Sequence, residues 1–269
     1  RVLRTAQTTL SNTFFVDGAP VAPTSTLTAT VKRLDSTDAA RSAFTYTMTG
    51  TTCSFVLPAQ ANLDVLTVDW SGTVGAAVVV VRDHVEIVGG FLFGLAEARN
   101  KLKLSATVYP DETLAEKRTE VEQECEKICR QAFVPRFART ILTGQGRRDL
   151  LLPHVNVRTL RAVSVDGATV DLSQAVLSAS GVLTRIGMFM WPAGKPVTVE
   201  VEHGLDYPPE RIRSAGLLHL QAVLTETRTG IPARAQSYTT QEGATYRLTM
   251  PGPRATGIPE VDAVYGRYS

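Results

Sequence analysis

The chain has 269 residues, of which 43% are hydrophobic and 20% charged, and its formal net charge is +2. Its length exceeds that of an average domain, so two domains are expected, and its composition is ordinary for a globular protein. The weak and evenly spread charge excludes an extensive electrostatic surface for nucleic acid. The three cysteines cannot all pair within one chain, which favours a reducing compartment.

The sequence gives no indication of a membrane segment. Its longest apolar stretch, residues 74–81, is interrupted by Gly75 and is far shorter than the roughly 20 residues that a membrane-spanning helix needs. The amino end does not resemble a signal peptide, and Arg1 in the place of a methionine suggests a trimmed or processed start. We therefore expect a soluble protein that is made in the cytosol.

Residues 1–90 contain short, threonine-rich segments that alternate apolar and polar side chains with the period of a strand. Asp17-Gly18 is a hairpin turn signal at the end of the first such segment. The others are residues 27–31, 44–48, 53–57, 66–70, 76–81 and 83–88. About seven short strands with frequent turns predict an immunoglobulin-like β-sandwich. The Cys…Trp…Cys pattern of antibody domains is absent, so Trp70 is predicted to be a core aromatic residue.

Gly89-Gly90 marks the predicted domain boundary, because a glycine pair leaves the backbone unrestricted. A long helix is predicted after Pro110, with Asp111 as its N-cap, and Pro135 ends it. One face carries small and apolar residues that we expect to be buried: Leu114, Val121, Cys125, Ile128 and Ala132. The other face carries carboxylates that we expect to be solvated and not to form an acid–base site: Glu120, Glu122, Glu124 and Glu126.

Cys125 and Cys129 lie four residues apart and therefore share one face of this helix. That spacing suits half of a metal site, and it also suits two small apolar packing residues. Because no nearby histidine or cysteine completes a ligand set, we interpret both as packing residues. The sequence thus predicts no metal and no cofactor.

Strand-like segments recur over residues 140–203, and Pro208-Pro209 predicts the start of a second helix that continues to about Arg228. Residues 229–269 mix glycine, proline, threonine and arginine without a sustained period. The predicted fold class is therefore α+β, with the sandwich over residues 1–90. Residues 91–228 are predicted to form a core of two or three helices packed with a small antiparallel β element, and residues 229–269 an extended arm.

The sequence lacks the motifs of nucleotide-binding enzymes, serine hydrolases and zinc proteases. Its four histidines are widely separated. His203 and Asp206 could form a catalytic pair in a small hydrolase, but a strand end and the turn after it explain them better. His219 lies on the apolar side of the second helix and is predicted to be a core histidine. We therefore predict no catalytic residue and no enzymatic activity.

Arginines cluster in residues 130–148, where no acidic residue occurs. Arg136, Arg139, Arg147 and Arg148 are candidates for contact with DNA in a channel or with acidic groups of a partner. Guanidinium groups suit such contacts because they bind phosphates and carboxylates in bidentate geometry. The alternative, which we favour, is a surface loop that balances the charge of the acidic helix before it.

Several short segments follow one another in an order and spacing that is more specific than any of them alone. They are Ala132-Phe133-Val134-Pro135-Arg136 after an acidic helix, Leu150-Leu151-Leu152-Pro153, Val163-Ser164-Val165-Asp166-Gly167, Trp191-Pro192, and residues 197–204 leading to Pro208-Pro209. In these features residues 109–224 resemble the head–tail connector (adaptor) family of long-tailed phages. The ending Thr256-Gly257-Ile258-Pro259-Glu260-Val261-Asp262 is similar to that of connectors from phages of actinobacterial hosts, which also carry an extra amino-terminal β domain.

This resemblance implies a structural virion protein that works by assembly. The expected assembly is a ring of identical subunits, a dodecamer, beneath the portal protein, which extends the DNA channel and joins the head to the next neck or tail-completion protein. Double-stranded DNA would pass through the ring without sequence-specific contacts. The expected location is the head–tail connector region of the virion, and the host cytoplasm during assembly.

The arm over residues 229–269 is predicted to attach the ring to the portal. Glycines and prolines forbid a long helix there, and the apolar residues between them are too sparse to form a core. An extended chain of this kind suits a groove between subunits or an added strand at a sheet edge. Val261, Val264 and Tyr265 lie three and four residues apart, so they could form a single helical turn at the tip of the arm. The predicted portal-binding residues are Tyr246, Leu248, Ile258, Val261, Val264 and Tyr265.

A different class of function is an extracellular carbohydrate- or protein-binding module built on the sandwich. The odd number of cysteines and the missing export signal weigh against this alternative.

Overall fold

Strands and helices segregate in the computed structural model of the chain, which describes residues 1–34, 42–229, 237–239, 245–247 and 255–269. Residues 1–90 and 135–204 together form one compact unit, which we call the strand unit. Residues 91–134 and 205–269 form the other, which we call the helix unit. The predicted α+β class is therefore confirmed.

The first part of the strand unit consists of two sheets. In chain order its described strands are β1 (Val2–Leu3), β2 (Thr8–Val16), β3 (Ala19–Val21), β4 (Ser25–Arg33), β5 (Ser42–Thr45), β6 (Thr47–Thr49), β7 (Thr52–Leu57), β8 (Asp64–Val74) and β9 (Ala77–Val88). The order across one sheet is β1-β9-β8-β4-β5, and across the other it is β3-β2-β7-β6. The pairing of β1 with β9 is parallel.

The strand period of the sequence explains how these two sheets share a core. Alternate side chains of β8, such as Leu66, Val68 and Trp70, are buried, and they pack in one cluster with Phe14 and Phe55 from the other sheet. The prediction that Trp70 is a core aromatic residue is confirmed. The immunoglobulin-like arrangement of the strands remains a prediction.

The hairpin predicted at Asp17-Gly18 connects β2 to β3. Both residues have positive φ, 51° for Asp17 and 79° for Gly18. Two consecutive positive φ angles are what a two-residue hairpin turn needs, and aspartate followed by glycine adopts them at low cost. Local sequence therefore determines this turn.

The second part of the strand unit lies between Pro135 and Gly204. Its strands are β10 (Arg136–Thr143), β11 (Asp149–Leu151), β12 (Val157–Val165), β13 (Ala168–Thr169), β14 (Ala175–Leu177), β15 (Val182–Arg185) and β16 (Pro196–His203), with a short 3-10 helix at Leu172–Gln174. One sheet has the order β10-β16-β12-β13 and the other the order β11-β15-β14. Leu150, Val163, Leu183, Trp191 and Val199 form much of their buried core.

This second β part belongs with the first 90 residues, which differs from the predicted division into 1–90 and 91–228. The Gly89 amide donates a hydrogen bond to the Pro135 carbonyl over 2.8 Å. A Cβ atom at Gly89 would lie only 2.6 Å from Cβ of Pro135, so only glycine permits this approach. Arg136 Nη1 also pairs with Glu86 Oε1 at 2.6 Å. The glycine pair marks a place where two distant segments meet.

The helix unit contains α1 (Leu95–Leu102), α2 (Asp111–Cys129), α3 (Glu210–Thr229) and α4 (Pro259–Tyr265), together with the paired strands β17 (Ser237–Thr239) and β18 (Thr245–Arg247). Helix α2 begins one residue earlier than predicted, with Pro110 and not Asp111 at the N-cap. The predicted apolar stripe is confirmed as buried: Leu114, Val121, Cys125, Ile128 and Ala132. The first four lie on α2 and pack with residues of α3 and α4. Ala132 follows the helix, which ends at Cys129 and does not continue to Pro135 as predicted. Within the described residues, none of the helices has the length and hydropathy of a membrane-spanning helix.

The described end of the chain, residues 255–269, differs from the extended arm that the sequence predicted. Helix α4 packs against the other helices, and Val261 and Tyr265 are fully buried in their shared core. The physical reason is that a short helix presents its few apolar residues on one side, so sparse anchors suffice to join an existing core. Leu248 lies outside the described residues, and Tyr246 falls on strand β18.

Candidate functional site

The carboxy-terminal segment, residues 255–269, is held by apolar packing and by hydrogen bonds to the end of α2. The side-chain amide of Gln131 donates to the Tyr268 backbone carbonyl over 2.8 Å, and the Cys129 thiol donates to the Tyr265 backbone carbonyl over 3.5 Å. The rings of Phe133 and Tyr268 meet edge to face with centroids 5.7 Å apart. Of the predicted portal-binding residues, Ile258 and Val264 are half-buried against the same core.

The carboxylate of Asp262 organises the start of this segment. Its Oδ1 accepts hydrogen bonds from the Thr256 amide over 2.7 Å and from the Thr256 hydroxyl over 2.8 Å. Its Oδ2 accepts from the Gly257 amide over 3.2 Å. These bonds fix the conformation of the chain that enters α4, so residues 256–265 form a locally ordered unit.

Cys125 and Cys129, behind this segment, are both buried. The hydrogen bond between the thiols of Cys125 and Cys129, and then burial, raise the pKa of Cys125. Burial likewise raises the pKa of the neighbouring Tyr265 hydroxyl. Protonated thiols bind metals and attack electrophiles poorly, and the described residues contain no group of three or more potential metal ligands. The interpretation of both cysteines as packing residues is therefore supported by their burial in the core.

The acidic side of α2 is only partly solvated, so the prediction was wrong for Glu122. Its side chain is fully buried, and its Oε1 accepts a hydrogen bond from the Leu92 amide over 2.8 Å. Glu120 does face solvent and pairs with Lys117 at 2.8 Å. Glu124 Oε2 lies 3.5 Å from Nε2 of the buried His219. The Glu122 carboxylate thus takes the place of a backbone carbonyl as the hydrogen-bond acceptor for the Leu92 amide, which lies before α1.

The four candidate arginines fall into two pairs. Arg136 is bound to Glu86, and Arg139 donates to the Leu34 carbonyl over 2.9 Å, so both hold the strand unit together. Arg147 and Arg148 are exposed on the loop between β10 and β11 and make no ion pair within the described residues. Arg139 is exposed as well, so the two pairs differ in their contacts within the strand unit and not simply in exposure.

His203 does not have the surroundings of a catalytic base. Its ring stacks on that of His154 with centroids 4.3 Å apart. Burial, and then the proximity of His154 and Arg136, lower its pKa to about 3. Asp206, its predicted acidic partner in the hydrolase alternative, belongs to the helix unit, whereas His203 belongs to the strand unit. A neutral imidazole among basic groups is a weak proton acceptor at neutral pH.

Sequence reasoning missed an open groove of about 600 Å³ in the strand unit. It runs between β10 and β11, and Arg147 lies on its wall. Nearby, residues 186–190 form a loop whose three consecutive side chains Met188, Phe189 and Met190 are exposed. The sequence feature that could have indicated this loop is the run of apolar residues between Gly187 and Pro192, which fits the period of neither a strand nor a helix.

The sequence matches no family model and no curated protein. Among solved structures, a chain of the neck of an empty GTA particle, computed with C6 symmetry, has a TM-score of 0.46 and 18% sequence identity. The likeness covers 66% of this chain and 88% of that chain. The function of the present chain therefore has to be argued from its own residues.

Proposed function

We propose that the chain is a structural subunit of a tailed-phage particle, a head–tail connector that forms a ring beneath the portal. The observation that carries this proposal is the ordered series of segments in which the sequence resembles that family, from Ala132-Phe133-Val134-Pro135-Arg136 to Pro208-Pro209. These segments include the chain crossing at Pro135, the buried Trp191 and the entry into α3. They therefore include positions on which the fold of each unit depends.

The distribution of chemistry supports an assembly role over an enzymatic one. The raised pKa of Cys125 keeps its thiol protonated, and the lowered pKa values of His154 and His203 keep their rings neutral, so these groups are poorly suited to catalysis at neutral pH. The sandwich offers weak support for carbohydrate binding, because Phe14, Tyr46 and Trp70 are buried and Phe15 is the one aromatic residue classed as exposed among its described residues. Large exposed apolar side chains occur in both β parts, such as Val78 in the first and Leu151 in the second, as expected for a protein that binds other proteins.

Attachment to the portal through the carboxy-terminal segment is part of this proposal, with one added step. Because Val261 and Tyr265 are buried in the isolated chain, they can contact the portal only after the segment leaves its core. Exposing them costs about 3–5 kcal/mol, which the portal contacts must exceed. The ordered unit around Asp262 allows the segment to move without unfolding completely.

The proposal is tested by imaging the purified chain by electron microscopy, with and without the portal protein of the same particle, and by native mass spectrometry of the mixture. We expect a ring of chain subunits on one end of the portal. Binding to an immobilised glycan array without any association with portal would support the sandwich-based alternative instead.

The release of the carboxy-terminal segment from the core is tested by cross-linking this segment to the residues that follow α2. Gln131→Cys and Tyr268→Cys, joined by a short methanethiosulfonate cross-linker that dithiothreitol cleaves, should prevent attachment to portal until the reductant is added. The native cysteines are all buried and should not react. Attachment that is equally tight with the cross-link intact would assign portal binding to another surface.

A further inference from the structure

The carboxy-terminal segment, residues 255–269, is organised partly by hydrogen bonds within itself. At the start of α4, the Asp262 carboxylate and the Thr256 hydroxyl accept hydrogen bonds from three backbone amides, those of Thr256, Gly257 and Ile258. Helix α4 has only 7 residues, and isolated helices shorter than about 12 residues are marginal in water. The segment therefore depends on a matching surface to remain folded.

That surface is made by residues far away in the chain. Helix α4 packs against α2 and α3, and its residues Val261 and Tyr265 are fully buried in the core of the helix unit. The hydrogen bonds of Cys129 with Tyr265 and of Gln131 with Tyr268 join residues that are 136 and 137 positions apart. We call the surface formed by α2, α3 and the residues that follow α2 the docking surface. A second copy of the chain presents an identical docking surface.

The connection between α3 and the segment is long enough to reach a second copy. The pairing of β17 with β18 brings Ser237 and Arg247 together, so residues 230–236 and 248–254 provide the reach. A chain of that length spans up to about 46 Å, at about 3.3 Å per residue. A unit of about 100 residues has a radius of gyration of about 13 Å and is therefore about 34 Å across. The segment can thus reach the docking surface of a neighbouring copy.

Docking on a second copy replaces each contact of the segment by an identical one. The cost of withdrawing Val261 and Tyr265 is regained when the same residues enter the same surface of another chain. The two arrangements then differ mainly in the concentration of docking surfaces around the segment. A connection of this length presents the chain's own docking surface at an effective concentration of about 1 mM. Exchange is therefore expected wherever copies are held together at a comparable local concentration.

We propose that the carboxy-terminal segment of one chain docks into the helix unit of a second copy, with α4 packed against α2 and α3 of that copy. Each chain gives its segment to one neighbour and receives a segment from the same or another neighbour, so the contact closes a dimer or continues around a ring. The second copy is recognised through Val261, Tyr265 and Tyr268. This exchange goes beyond the connector function and needs no portal, which would compete with the second copy for the same segment.

Exchange is tested by cross-linking two populations of the full chain. One carries Gln131→Cys and the other Ser269→Cys, an exposed position next to the Tyr268 carbonyl that Gln131 binds. The two are mixed at about 1 mM, the effective concentration of the chain's own docking surface, and treated with the short methanethiosulfonate cross-linker. Because each chain carries only one of the two new cysteines, a docked segment is linked only when it lies on the other chain. We expect covalent heterodimers.

Glu116→Cys in place of Gln131→Cys is the matched control. Glu116 is exposed on the same helix, about 20 Å from Gln131 at 1.5 Å per residue, so a docked segment does not bring Ser269 to it. The mixture with Gln131→Cys should give at least tenfold more heterodimer than this control. The native cysteines are buried and should not react in either mixture.

A synthetic peptide of residues 255–269 provides a second measurement that requires no further change in the chain. In about fivefold excess it should occupy the docking surface and lower the heterodimer yield about threefold by mass action. The same peptide with Tyr265→Ala should leave the yield unchanged, because it lacks the buried ring. The proposal is overturned if the heterodimer does not exceed that of the Glu116→Cys control, or if the native peptide does not lower it. Neither experiment contains portal, so the connector proposal does not affect these outcomes.

Discussion

The carboxy-terminal segment 255–269 and the groove between β10 and β11 are similar in sequence and opposite in structure. Each places a few apolar residues close to glycines and prolines. Val261 and Tyr265 are fully buried in the helix unit, whereas Ile141, Leu151 and Met188 face solvent. The sequence pattern alone therefore does not tell whether apolar residues in such a segment pack into the core of the chain or remain exposed to solvent.

The largest expected effect comes from removing an anchor of the buried segment. Tyr265→Ala should lower the free energy of unfolding by about 3–5 kcal/mol, because it leaves a cavity where a fully buried ring packs beside α2 and α3. Urea denaturation followed by circular dichroism measures this change. Val264→Ala in the same helix is the control and should cost less than about 1.5 kcal/mol, since Val264 is half-buried. Equal effects would mean that the segment does not share the core.

What the sequence predicted correctly depends on neighbours in the chain. The apolar stripe of α2 and the turn at Asp17-Gly18 follow from spacing and from backbone preference over a few residues. The burial of Glu122 could not be predicted in this way, because its partner, the Leu92 amide, lies 30 residues earlier. The association of the second β part with the first depends on Arg136 and Glu86, which are 50 residues apart.

The same reasoning applies to the candidate sites. The sequence identified the arginines of residues 130–148 as a group, but only their strand positions separate the bound Arg136 from the exposed Arg147. The groove arises because two sheets end on adjacent strands, β10 and β11. Strand order across a sheet is set by long-range pairing, which no local pattern in residues 136–151 specifies.

The stability of the strand unit is expected to depend on pH through His203. Since burial lowers the pKa of His203 to about 3, the folded chain keeps this imidazole neutral while the unfolded chain protonates it below about 6.5. Proton uptake then favours unfolding, so stability is full above pH 6.5 and falls as the pH drops from about 6.5 towards 3. Between pH 7.5 and 4 we expect a loss of about 3 kcal/mol from this group.

This loss is measured by urea denaturation at a series of pH values. His203→Leu removes the titrating group and should show a smaller loss over the same range, although His154, whose pKa burial also lowers, still contributes. His84→Gln is a suitable control, because it changes a histidine on β9 outside the stacked pair. An unchanged pH profile in His203→Leu would contradict the assignment of a neutral buried imidazole.

The contact between Gly89 and Pro135 gives a smaller effect that is specific to the joining of the two β parts. Gly89→Ala places a Cβ atom 2.6 Å from Cβ of Pro135, so the two segments must move apart, at a cost of about 1–3 kcal/mol. Thermal unfolding monitored by calorimetry measures this cost. Gly94→Ala is the matched control, because a Cβ atom there meets nothing within 4 Å. If both variants unfold at the same temperature, the close approach does not stabilise the strand unit.

The smallest effect on stability is expected at the rim of the groove, and there the comparison with the buried segment is sharpest. Arg147→Gln combined with Arg148→Gln should change the free energy of unfolding by less than about 0.5 kcal/mol, because both side chains are exposed and make no ion pair within the described residues. Arg136→Gln, one strand away, should cost about 1–3 kcal/mol, since it leaves the half-buried Glu86 with one basic partner fewer. Chemical denaturation separates the two variants, and assembly with portal at 50 mM and 300 mM salt tests their function. A loss of assembly that depends on salt in the Arg147 and Arg148 variant, at unchanged stability, would show that these arginines serve a partner. A loss of stability as large as that of Arg136→Gln would instead place them among the contacts that hold the strand unit together.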